Sequence, residues 1–140
     1  MSSKRLEILE DLQSRLKNIT VANNYLTNIG KNVVYWQDTD FEYGESVLAF
    51  KDTVEEVLQV NYPYEKVLCV EIAVYWQIVD DNLLTVSSQI LKDLENCLDK
   101  FLVLRGNANM VNNEKIVETK GKKTLQIKVK LKIQYRDFLE

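Results

Sequence analysis

Between Thr124 and Tyr135 the chain reads TLQIKVKLKIQY, an apolar/polar alternation unbroken over twelve residues. Side chains on a strand point to opposite faces in turn. Leu125, Ile127, Val129, Leu131, Ile133 and Tyr135 therefore share one side, and Thr124, Gln126, Lys128, Lys130, Lys132 and Gln134 the other. The pattern predicts a half-buried strand with a core face and a lysine-bearing face. At roughly 3.3 Å per residue it spans about 40 Å, about twice an ordinary strand. Such a strand crosses a whole sheet or projects beyond its own domain.

A second long β pattern runs from Lys66 to Val79. Leu68, Val70, Ile72, Val74, Trp76 and Ile78 alternate with Val67, Cys69, Glu71, Ala73, Tyr75 and Gln77, so both faces are largely apolar and the strand is expected at the centre of the sheet, covered by helix on at least one side. Shorter β-prone runs lie at Asn32–Gln37 and Glu45–Phe50, and Thr53–Val60 fits either helix or strand and is read as strand, because valine is frequent in it and an extended hairpin follows. The hairpin turn is Asn61-Tyr62-Pro63-Tyr64, fixed by the sole proline.

Two amphipathic helices complete the pattern. The first, over about residues 3–18, carries a stripe of Leu6, Leu9, Leu12, Leu16 and Ile19; the second, over about residues 83–104, carries Leu83, Val86, Ile90, Leu91, Leu94, Cys97, Leu98 and Phe101. The fold class is therefore α+β: one domain over residues 1–140, a mostly antiparallel sheet packed against two main helices. The segment Gly106–Lys123 is polar, with a short strand candidate at Lys115–Glu118. It is expected to be a mobile loop in the isolated subunit, ordered on assembly.

Composition narrows the chemistry. The chain has no histidine, which removes Ser-His-Asp and Cys-His catalysis. Cys69 and Cys97 sit in apolar sequence and read as small core residues rather than a zinc or disulfide pair. Glu45, Glu71 and Asp80 share no metal-binding spacing, and no phosphate-binding glycine loop is present. The expectation is no enzyme, no cofactor and no metal. Neither a leader nor an apolar run of membrane-spanning length is evident, so the protein is expected to be soluble, without a membrane partner.

The net charge of −3 conceals a partition. Residues 40–99 hold 13 acids against three bases, and residues 100–136 hold ten bases against two acids. Three uses of it stay open: complementary surfaces between subunits, a polyanion-binding face, or pairing of neighbouring strands within one subunit. The lysine ladder could follow a nucleic-acid backbone, but no interleaved aromatics accompany it, and Lys on an exposed strand also protects against aggregation. A nucleic-acid-binding α+β domain is the alternative reading.

Several local features resemble the tail terminator (tail completion) proteins of long-tailed bacteriophages. These are Asn24-Tyr25-Leu26-Thr27-Asn28-Ile29-Gly30 followed by Val33-Val34-Tyr35-Trp36; the run Glu45 to Asp52 leading to Glu55-Glu56; Val70-Glu71-Ile72-Ala73-Val74; and the ending Ile133-Gln134-Tyr135. The resemblance runs from Leu6 to Tyr135 in element order. The family often has proline where this chain has Glu45-Ser46, and Gly-Gly where it has Arg105-Gly106-Asn107. The resemblance implies a structural protein whose subunits form a ring, typically of six. The ring ends polymerisation of the tail tube and joins the head connector. Its partners would be itself, the tube protein and a neck protein, and it would pass from host cytoplasm to the head-proximal end of the virion tail. The residues expected at subunit or tube contacts are Asp52, Glu55, Glu56, Arg105, Lys115, Lys120, Lys122, Lys123, Lys128, Lys130 and Lys132.

Overall fold

A computed structural model describes residues 4–35, 47–59, 64–77, 83–104, 108–119 and 124–137. Helix α1 (Lys4–Lys17) buries Ile8, Leu9, Leu12 and Leu16, with Ile19 just beyond it. Leu6, expected in that stripe, is 41% exposed, and Ile8 takes its place. At about 100° per residue, Leu6 lies about 120° around the helix from Leu12, whereas Ile8 lies one turn below it. Arg15 and Lys17 occupy the last turn, where cations suit the negative end of the helix dipole.

Two short 3-10 turns, Val21–Asn23 and Ile29–Lys31, lead out of α1. The second is docked on the helix end through the Gly30 N–H, which donates to the Ile19 carbonyl at 2.8 Å. A Cβ on Gly30 would stand 2.4 Å from the Leu16 oxygen and 2.8 Å from both the nitrogen and the oxygen of Ile19. These are backbone atoms that cannot step aside, so this close approach requires glycine.

Five strands follow: β1 (Val33–Tyr35), β2 (Val47–Gln59), β3 (Tyr64–Gln77), β4 (Ala108–Thr119) and β5 (Thr124–Asp137), with α2 (Leu83–Leu104) between β3 and β4. The sheet order is β1-β2-β3-β5-β4. The three pairings among the long strands are antiparallel, and the short β1 runs parallel to β2, so the sheet is mixed. The α+β class holds, and α2 spans the expected residues 83–104.

Residues 47–50 and 53–59 of the two stretches read separately belong to one strand, β2, which shifts register between Asp52 and Val54 and again between Val57 and Gln59. The expected loop at 106–123 is corrected more sharply. Residues 108–119 form β4, paired with β5 from Ala108↔Tyr135 to Thr119↔Leu125. Its asparagines disfavour a strand by propensity, but pairing to β5 supplies the backbone with hydrogen bonds that propensity ignores.

The alternation on β5 is fulfilled: Leu125, Ile127, Val129, Leu131, Ile133 and Tyr135 are all buried, while Lys130 and Lys132 are exposed. Both helices lie on that apolar side. The core joins Ile8, Leu12 and Leu16 of α1 and Ile90, Leu94 and Leu98 of α2 to Leu48, Phe50, Leu68, Val70, Ile72 and Val74 of the sheet. Each such side chain contributes roughly 1.5–3 kcal/mol by leaving water. Cys97 is in this core, its thiol donating to the Arg15 carbonyl at 3.3 Å. Cys69, also expected there, is half-buried on the opposite face of the sheet, where odd-numbered β3 residues point.

Candidate assembly interface

The contact residues expected from sequence fall into four groups. Arg105, Lys120, Lys122 and Lys123 lie outside the described residues. Asp52, Glu55 and Glu56 lie on β2, Lys115 is on β4 at the register position opposite Val129, and Lys128, Lys130 and Lys132 lie on β5.

Asp52 is committed inside the subunit. Arg5 Nε donates to its Oδ2 at 3.1 Å, Arg5 Nη2 donates to the same oxygen, and the Tyr35 hydroxyl donates to Oδ1. Arg5 Nη2 also reaches the Tyr35 hydroxyl at 3.4 Å, and the Tyr35 ring meets Phe50 edge-on at 5.3 Å. The hydrogen bond to Asp52 raises the Arg5 pKa further, against a smaller opposing effect of desolvation. This cluster clips the first turn of α1 to β2. Glu55 accepts the Tyr135 hydroxyl, so the terminal Ile-x-Tyr is anchored by both ring burial and a carboxylate.

Beyond Phe50 the picture changes. Every residue from Thr53 to Leu58 is exposed, and Val54, Val57 and Leu58 are 54%, 52% and 56% exposed. Among the described residues β1 pairs only with Leu48, Ala49 and Phe50, so this part of β2 has a strand partner on the β3 side alone. It forms an arm at the sheet edge, acidic through Glu55 and Glu56 and apolar through its aliphatics.

The sheet face turned away from the helices carries the lysines. Lys130 lies opposite Glu71 on β3, and Glu114 holds its register position on β4; Lys51 on β2 lies opposite Glu71 in turn. One row across four strands thus reads Lys, Glu, Lys, Glu. Lys132 has Cys69 and Asn112 as its register neighbours, and Lys128 has Ala73 and Ile116. Gln126 is buried on this face and donates from Nε2 to the Tyr75 hydroxyl at 3.2 Å.

The most deeply placed charge among the described residues is not singled out by the sequence pattern. Asp93 of α2 is fully buried and accepts three hydrogen bonds: from the Leu26 N–H at 2.8 Å, the Thr27 N–H at 2.7 Å and Thr27 Oγ1 at 2.5 Å. It holds the loop after α1 onto α2. Its signal was its place between Ile90 and Leu94, on the apolar stripe itself.

Nearby, a cleft of about 220 Å³ is lined by Arg15, Asn18, Asn23, Tyr25 and Cys97. Arg15 Nε is buried there without a hydrogen-bond partner, 3.6 Å from Asp11 Oδ2. Burial pushes the Tyr25 phenol pKa up, with Cys97 and Asp93 adding to the shift and Arg15 opposing it. Of the carboxylates considered for a metal, Glu71 is on the outer face, while Glu45 and Asp80 lie outside the described residues. Among the described residues no three His, Cys, Asp or Glu side chains gather as a metal site, and no helix is long and apolar enough to cross a membrane. The chain matches no protein-family model and no curated protein sequence.

Proposed function

We infer that the chain is a structural subunit, not an enzyme, that assembles as a ring on the end of a bacteriophage tail tube, ends its polymerisation and offers the head connector a surface to join. Its place would be the host cytoplasm during assembly and then the head-proximal end of the tail. The observation that carries this reading is the β2 arm, where three large aliphatics and two acids stand exposed within six consecutive residues. Isolated apolar residues at a surface are ordinary, but a cluster on an open strand edge is a place another chain covers. The basic C-terminal segment supplies the opposite sign for a head-to-tail contact, the kind that closes into rings. The resemblance in motifs and element order supplies the tail-tube context.

Light scattering behind a sizing column, with negative-stain imaging, tests this on the purified protein with and without tube protein. The expected result is ring particles whose mass is a multiple of 16.3 kDa. A strict monomer under both conditions overturns it. The second reading, nucleic-acid binding, draws on the exposure of Lys130 and Lys132 on one strand. DNA retention that falls steeply with salt, in the absence of rings, would replace the first reading with the second.

A further inference from the structure

We propose that the helix-free face of the sheet packs against the same face of a second copy about a two-fold axis, with Glu71 of each copy paired to Lys130 of the other. This goes beyond the ring reading and does not depend on it. Lys51, Glu71, Lys130 and position 114 are held in one register row across β2, β3, β5 and β4.

Read from either edge, the row reverses sign: Lys-Glu-Lys-Glu becomes Glu-Lys-Glu-Lys. A two-fold axis parallel to the strands and midway between β3 and β5 lays β3 of one copy over β5 of the other, and β2 over β4. Glu71 and Lys130 of one copy then meet Lys130 and Glu71 of the other, and Lys51 comes over register position 114. An axis running along β3 would instead stack Glu71 on Glu71 and Lys51 on Lys130, so charge selects the first axis. The remaining rows add no like-charge contact: Ala73 comes under Lys128, and Cys69 under Lys132. Ala49 and Ala73 leave a shallow hollow of about 30 Å³ beside Lys51 and Glu71.

The dimensions agree. Four strands about 4.8 Å apart, sharing about eleven residues at roughly 3.4 Å each, present about 700 Å². That is close to the roughly 800 Å² per partner of a standard interface. Within one subunit Glu71 and Lys130 are register neighbours, yet neither is engaged in an ion pair among the described residues. Burial between two sheets about 10 Å apart gives each a partner on the facing copy.

Sedimentation analysis of the full chain and of two charge-reversed variants, Glu71→Lys and Lys130→Glu, tests the proposal. The parent is expected to contain a two-subunit species, and each variant alone to self-associate roughly tenfold or more weakly, because each sets like charges against one another across the axis. Mixing the two variants should restore the pair, since each then supplies the charge the other lacks. This mixing step separates contact between copies from pairing within one sheet, which mixing cannot repair; thermal melts of each variant confirm that it is folded. A parent without a two-subunit species, a pair that survives both reversals, or a mixture that stays dissociated overturns the proposal. Loss of the pair in each variant alone while rings persist supports the proposal and leaves the ring reading intact.

Discussion

Replacing Asp93 by alanine should unfasten the loop after α1 from α2. The carboxylate accepts the Leu26 and Thr27 N–H groups and the Thr27 hydroxyl at 2.8, 2.7 and 2.5 Å, with no solvent exposure of its own. Hydrogen bonds to a charged group contribute roughly 1.5–3 kcal/mol each, but removing the carboxylate also removes its desolvation penalty of several kcal/mol. What remains is a small void and the buried Thr27 N–H without its acceptor, itself worth about 1–3 kcal/mol. The net loss expected for Asp93→Ala is about 3–5 kcal/mol, a large part of the 5–15 kcal/mol typical of a domain. Asp93→Asn keeps the shape and one acceptor but points an amide N–H₂ at N–H donors, and should lose about 2–3 kcal/mol. Urea unfolding followed by circular dichroism reads both: with a slope near 2 kcal/mol/M, the alanine variant should unfold at a midpoint lower by about 2 M. An alanine variant within about 1 kcal/mol of the parent would refute the reasoning, because the loop would then be held by something other than this carboxylate.

Two further substitutions test the packing. Gly30→Ala forces a methyl group against the Leu16 and Ile19 backbone and should cost about 1–3 kcal/mol by overpacking, read as a lower melting temperature; an unchanged melt would mean that the turn can move off the helix end. Val129→Asp places a charge in the core and should cost several kcal/mol, whereas Lys130→Asp should leave the subunit fold far less affected; thermal melts ranked the other way would contradict the register of β5.

The parts of the fold legible in the sequence were those whose period is set by one buried face. β5 alternates strictly because the helices cover only one side of it, and α2 shows its stripe because Ile90, Leu94 and Leu98 pack on that same side. Of β4 only Lys115–Glu118 is legible as a strand candidate, because the pairing of the rest to β5 is a long-range fact, with no period of its own in Asn109, Asn112 and Asn113. Leu6 and Ile8 are both apolar near the start of α1, and only the direction of the sheet decides which is buried. In the candidate interface, the acids of β2 and the lysines of β5 were evident as a charge partition. The engagement of Asp52 by Arg5, 47 residues earlier in the chain, was not, since no local pattern encodes it. Asp93 counted as one acid among many until the elements around it were assembled.

The position of β3 between β2 and β5 also sets an order of events during synthesis. β2 and β3 form a local hairpin and can pair as soon as both are made, but the other edge of β3 waits for β5, with α2 and β4 in between. Until then Leu68, Val70, Ile72 and Val74 lack the six buried apolar residues that β5 brings, and an apolar strand edge stands open. Closing that long loop is the step that makes the domain cooperative, and topologies with such distant pairings fold slowly. A chain stopped after α2 would therefore be an aggregating fragment rather than a smaller domain, and the C-terminal strand acts as the closing staple of the fold.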